Sequence, residues 1–289
     1  MKGSNPQVPP GALRIDLPNR KSRLLMRVEL GLDPEAAIAL QKSTTLKATG
    51  SPKVDPPVKM DFERFPGVEA FDTTDQVLAS EPDINPGANE LQAKARSVAA
   101  LVGSDQRGHV AEVIEAKAIP QFLEAVAGMG QEANGWVRPR LTGNYGADYQ
   151  MRSVANFTGI WANNTNEVIY FVRRQLDGGS GFTITFPADA PPDAQVRYFW
   201  SVIAVDSVEF RVTPNALDRF LLNKASGLVP SPDGSLTLSL APEKPEAAPE
   251  PNWLPTPAGK TYNLTFRFYG PSEEVVSGRY FPPPVVPLT

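Results

Sequence analysis

The chain has 289 residues, a formal net charge of -4, 41% hydrophobic and 21% charged residues, one histidine and no cysteine. That length holds one large domain or two modest ones, and the composition is that of a soluble globular protein. The charge offers no broad basic field for nucleic acid, and the missing cysteines exclude disulfides, thiolate nucleophiles and cysteine–zinc sites.

Thirty prolines are roughly twice average usage. They predict many loops and well-marked element ends, because proline cannot donate to a central ladder or sit inside a helix. The opening residues, 1–6, lack the apolar core of a signal peptide, and no apolar run approaches the ~18 residues of a membrane span. The expectation is a soluble chain with no membrane span, either cytoplasmic or periplasmic after removal of a signal outside this numbering.

Leu13, Ile15 and Leu17 alternate with Arg14 and Asp16; Leu24, Met26, Val28 and Leu30 alternate with Leu25, Arg27 and Glu29. This predicts two strands, 12–17 and 23–30. Asp33-Pro34 is a cap and first-turn pair opening a helix to about Gln41. Residues 50–57 read as a linker. Leu91, Ala95, Val98 and Val102 recur at helical spacing and stop at Gly103. A second helix is predicted over 105–118, and a third begins at Pro120 and ends near Gly128 or Gly130. The division expected is 1–60 for the N-terminal strands, helix and linker, 61–135 for a helical segment of three short helices, and 136–289 for a β domain.

After Trp136 the period returns to two. Strands are predicted at Val168–Val172, Phe182–Phe186, Tyr198–Val205, Val208–Val212, Leu236–Leu240 and Tyr262–Phe268, the third apolar on both faces and therefore covered on both sides. Six short strands with turn signals between them point to a mainly β sandwich or barrel. Ala241–Pro251 is a Pro/Glu loop inside that domain, since similar strands flank it.

Gly143-Asn144-Tyr145-Gly146-Ala147-Asp148-Tyr149, Arg152, Ala162-Asn163-Asn164 and Glu167–Phe171 form an ordered series. Phe199-Trp200-Ser201-Val202 with Asp206, Leu217–Phe220, Asp233–Thr237, Asn252–Pro255, Arg267–Pro271, Gly278–Tyr280 and Pro282–Pro284 continue it. Over residues 136–289 the series resembles the domain of unknown function 1214 family, which implies a jelly-roll-like antiparallel β-sandwich. Residues 19–46 resemble the end of the domain of unknown function 1254 that commonly precedes it, so the first sandwich would be largely absent from this chain. The resemblance implies a fold and no chemistry.

His109 alone cannot build a histidine metal site or a Ser-His triad, so no transition metal and no cofactor is expected. Asp177-Gly178-Gly179-Ser180-Gly181 joins two strands and reads as a hairpin; a phosphate loop needs a following helix. Candidate ligand-binding residues are Tyr145, Arg152, Trp200, Asp206, Arg219, Trp253 and Arg267. Rings supply stacking area and guanidinium forks grip oxygens; against this, Trp200 and Trp253 could be core rings, and the arginines could pair with Asp148, Asp206 and Asp218. Asp206 and Glu209 are a candidate acid–base pair, though with 32 acidic residues some close pair is expected anyway.

Three functions stay open: a non-catalytic β-sandwich binding a small polar ligand or another protein chain, a cofactor-independent enzyme using Asp, Glu, Arg or Tyr, and a structural assembly subunit. Because two strands and one helix cannot bury a core of their own, residues 10–45 are expected to lean on a partner, either a second copy or a separately encoded first domain. Docking onto the same chain is the competing expectation.

Overall fold

The computed structural model describes residues 7–15, 24–28, 33–47, 65–80, 83, 85–159 and 162–288. It divides into two compact units, residues 1–121 and 122–289.

The regular elements described in the first unit are helices. Helix α1 (Pro34–Ser43) starts as the sequence predicts: the Asp33 carboxylate accepts the Ala36 amide at 3.0 Å, with proline in the first turn. Helix α2 (Thr74–Ser80) precedes α3 (Ala88–Val102), which ends at Gly103, and α4 (Arg107–Val113) follows. Arg107 forks onto the Asp72 carboxylate at 2.7 and 3.0 Å.

Two expectations change here. The described residues of the predicted strands, 12–15 and 24–28, belong to no strand, with Leu13 and Leu24 exposed; their remaining residues, and the linker at 50–57, lie outside the described residues. Alternation makes a strand only where a neighbouring edge completes the ladder. The second and third predicted helices are also not separate pieces. From α4 the chain runs through a π turn (Ile114–Ala118) directly into α5 (Ile119–Ala127), with the Ile119 amide donating to the Ile114 carbonyl. Pro120 has no amide to give, and its ring would crowd the carbonyl four residues back. The widened turn just before it absorbs both problems.

The second unit starts within α5 and continues with β1 (Gly130–Ala133), β2 (Trp136–Pro139), α6 (Tyr149–Thr158) and β3 (Val168–Asp177). Then come β4 (Phe182–Phe186), β5 (Val196–Asp206), β6 (Leu221–Asn223), β7 (Leu236–Ala241) and β8 (Trp253–Pro255). Strand β9 (Thr261–Pro271), helix α7 (Glu273–Val276) and β10 (Val286–Pro287) complete it. The strands form a six-stranded sheet, β1-β2-β3-β9-β5-β6, and a four-stranded sheet, β10-β4-β7-β8. Pairing is antiparallel except for β7 with β8, which are parallel because the 242–252 loop carries the chain back before β8 starts.

Both sheets turn apolar side chains into one core. Ile169 and Phe171 of β3, Trp200 and Val202 of β5, and Leu264, Phe266 and Phe268 of β9 meet Ile184, Phe186, Leu238 and Leu240 of the smaller sheet. The Phe186 and Phe266 rings, 5.8 Å apart and edge to face, bridge the sheets. The long alternating segments are therefore strands, as their period predicts.

Two connections differ from expectation. Asp177–Gly181 is not a hairpin, since β3 and β4 lie in different sheets. Its tight path depends on Gly178, where a Cβ would come within 2.0 Å of the Pro257 carbonyl oxygen and 2.2 Å of the Lys260 one. Residues 208–212 are not a strand: only Val212 bridges back to Val205, because the Asp206 side chain takes the Val208 and Glu209 amides into a turn.

The β1–β2 hairpin is locked to the segment after β9. Arg138 is only 1% exposed, and its guanidinium donates to the carbonyls of Val275, Val276 and Pro139. The Val275 carbonyl also accepts the Gly278 amide at 3.2 Å, so the guanidinium reinforces the end of α7. Burial pushes the arginine's pKa below its usual value. The Trp136 indole N–H donates to the Pro283 carbonyl at 2.8 Å, and the Asn134 amide to that of Pro282 at 3.0 Å.

Arg138→Ala should therefore lower unfolding stability by about 3 kcal/mol, through the lost guanidinium hydrogen bonds and the space left behind, read as a lower urea midpoint with the slope unchanged. A second test is alkaline. Burial pushes the phenols of Tyr262 and Tyr280 well above their usual pKa, and the neighbouring Thr256 hydroxyl offsets only part of this for Tyr262 without meeting hydrogen-bond geometry. Unfolded phenols ionise near pH ~10 while the folded ones hold their protons. The stability they lend is thus complete below that pH and falls above it, by about 1.4 kcal/mol per pH unit per tyrosine. Urea midpoints should drop between pH 9 and 11, and less steeply for Tyr262→Phe/Tyr280→Phe.

Candidate functional site

Strand β9 fixes the geometry of the six-stranded sheet. Tyr262, Leu264, Phe266 and Phe268 point into the core, so Thr265, Arg267 and Tyr269 project from the opposite face. Register then sets their neighbours. Arg267 lies opposite Tyr170 of β3 and Ser201 of β5, while Tyr269 lies opposite Val168 and Phe199.

On this face the Arg267 guanidinium sits over the Tyr170 ring, 5.9 Å from its centre. Tyr269 and Phe199 stack 4.1 Å apart with 17° between their planes. At the end of the same strands a bulge between Val196 and Phe199 releases Tyr198 and Arg197, whose guanidinium lies 5.2 Å from the Tyr198 ring centre. Gly270 makes room for them. Its φ is +62°, and a Cβ there would come within 2.6 Å of the Tyr198 ring. Tyr198, Phe199 and Tyr170 are 65%, 48% and 37% exposed. Ser201 and Val168 beside them are buried, so the rings stand on a firm floor. Four rings and two guanidinium groups thus share one end of one sheet.

Of the seven residues singled out from sequence, only Arg267 lies in this cluster. Trp200 is fully buried in the core, on the opposite side of the sheet from Arg267. Asp206 ends β5, where one carboxylate oxygen accepts the amides of Glu209 and Val208, each at 2.8 Å; these bonds hold its pKa below the usual carboxylate range. Arg219 and Trp253 do come together. The Arg219 guanidinium donates to the Glu250 and Trp253 carbonyls at 2.7 and 3.0 Å and pairs with the Glu250 carboxylate, while the Trp253 indole donates to Ala241. Its ionic partner is Glu250, not Asp218, whose backbone adopts a left-handed turn at φ +49°.

Tyr145 is half-buried in the loop before α6, and Arg152 lies on α6 with its guanidinium 5.6 Å from the Tyr149 ring centre. Tyr170, Arg197, Tyr198, Phe199 and Tyr269 complete the cluster and are not among the residues that the sequence singles out. Their signal was the off-core parity of β3, β5 and β9, obscured in β5 because its run is apolar at every position.

A concavity lies within the first unit. It is a cleft of about 350 Å³ bordered by Asp72, Thr73, Asp75, Gln76 and Arg96. Arg96 is 3.3 Å from Asp75, so its charge is already engaged. His109 is exposed on α4. Among the described residues no group of three His, Cys, Asp or Glu side chains could hold a metal, and no helix is long and apolar enough to cross a membrane.

No curated protein matches the chain. The fold is similar to the crystal structure of the VPA0106 protein from Vibrio parahaemolyticus, with a TM-score of 0.56 at 19% identity over 82% of this chain and 60% of that one. The matched part thus spans about 60% of that relative, and the likeness is one of fold. An uncharacterized protein from Burkholderia cenocepacia matches 47% of this chain and 31% of its own at 18% identity, with a TM-score of 0.30 too low to carry an argument. Residues 172–273, from within β3 to the start of α7, match the family model described as a protein of unknown function, DUF1214, and so carry a DUF1214 domain.

Proposed function

We propose that this chain is a non-catalytic binding protein whose six-stranded sheet receives a small polar ligand on Tyr170, Phe199, Arg267 and Tyr269. The observation that carries the reading is the guanidinium of Arg267 held over one ring beside a stacked ring pair, on an otherwise acidic chain. A guanidinium fork matches a carboxylate, sulfate or phosphate, and flat rings match a sugar ring or an aromatic plane. The ligand class that fits is a small anion carrying such a ring. Ring–guanidinium contacts pre-set the side chains, which lowers the ordering cost on binding.

The enzymatic alternative draws less support from this geometry. Asp206, the acid considered for it, is committed to shaping the turn that carries Glu209. A jelly-roll description of the β domain is supported by the way successive strands cross between the two sheets. A preceding 1254-type domain rests on the motif at 19–46, whose Asp33-capped helix forms as that motif implies. A protein working in solution fits the composition.

A panel of carboxylated, sulfated and phosphorylated sugars and aromatic acids, titrated by calorimetry, tests the proposal. At least one class should bind, and Arg267→Ala should weaken it more than about tenfold, the loss of one charge-assisted contact. Tyr269→Ala should weaken it about threefold to tenfold. Binding that is indifferent to both substitutions would end the reading.

A further inference from the structure

Away from this face, the turn after β5 has a different character. Val212 bridges back to Val205, the Asp206 amide donates to the Arg211 carbonyl at 2.9 Å, and the Phe210 amide donates to the Asp206 carbonyl at 3.0 Å. The Asp206 carboxylate holds two amides inside the turn, and Ser207 is tied to Thr261 through its amide and its hydroxyl. The tip is thus fixed from within and at its base.

What it displays is apolar. Val208 is 81% exposed and Phe210 is 72% exposed, with Val212 and Leu217 exposed beside them. Phe210 holds φ at +55°, a conformation that bulky side chains rarely adopt, so an Asn or Gly would sit there with less strain. Glu209 and Arg211 flank it, both exposed and both without an ion pair among the described residues.

The order Val208-Glu209-Phe210-Arg211-Val212 reads the same in apolar character from either end, while its charge reverses about Phe210. We infer that this tip pairs with the same tip of a second copy of the chain about a two-fold axis. Phe210 then meets the partner's Phe210, and each Glu209 faces the partner's Arg211, so one surface satisfies itself twice. An unrelated partner requires no such antisymmetry, and a tip with one acid and one base has no net charge to draw it to an anionic membrane. The contact is far smaller than the ~20–30 residues a side of a stable interface, which makes the dimer weak and dependent on concentration.

Sedimentation velocity of the full chain, from micromolar to several hundred micromolar at low salt, tests this. The mass should rise from one copy towards two as concentration increases. Phe210→Asn should raise the dissociation constant by about tenfold or more without lowering the thermal midpoint, since Asn accepts the left-handed backbone. Glu209→Arg and Arg211→Glu should each weaken dimerisation by about tenfold through like-charge contacts. The double reversal Glu209→Arg/Arg211→Glu should return it to within about threefold of the parent. Any of four results overturns the inference: a monomer at every concentration, a dimer unmoved by Phe210→Asn, a double reversal no better than the singles, or monomers that bind anionic vesicles through Phe210.

Discussion

A guanidinium buried among main-chain carbonyls holds the β domain shut. Arg138 reaches from β2 to the carbonyls of Val275 and Val276, and in doing so joins the first hairpin of the domain to the segment that follows its central strand. Taking an arginine out of water is costly, and hydrogen bonds to carbonyls recover that cost only if the carbonyls stay fixed. They are fixed because Val275 is buried in the core and the Ser272 side chain caps the start of α7. The Trp136 indole and the Asn134 amide extend the seam along the polyproline segment, whose carbonyls are free to accept.

Everything proposed about binding depends on β9 keeping its two faces apart. Its ladder runs beside β3 on one side and β5 on the other, so the inward rings fix the direction of the outward ones. The bulge between Arg173 and Leu176 does not break this, because the Asn263 side chain accepts the Gln175 amide that the ladder leaves over. Arg267 and Tyr269 are consequently held by a rigid scaffold in positions set by Phe266 and Phe268.

The segments at Phe182, Leu236 and Tyr262 were legible by a period of two, and those at Val168 and Tyr198 as apolar runs, because each lies on a strand that feeds the core. The strands β1, β2, β6, β8 and β10 were not, since runs of two to four residues are too short to show a period. Helix α6 was hidden differently. Asp148 caps it, and Met151, Val154 and Ala155 form its buried stripe, too few apolar positions to show a helical period in the sequence. Residues 208–212 alternate like a strand and still form a turn, because one carboxylate outcompeted the ladder. The site was legible only in part. Arginine beside aromatic rings pointed to Arg267, while Trp200, chosen on the same grounds, has the parity of the core.

The place of β9 in the chain order has a consequence during synthesis. Its partners β3 and β5 leave the ribosome well before it does, and each lacks a ladder on the side that β9 will fill. Until residues 261–271 emerge, the nascent chain carries two open hydrogen-bonding edges bearing Phe171, Trp200 and Val202. Such edges invite pairing with other chains. The six-stranded sheet thus cannot close before β9 is made, and until then those edges stay open to other chains.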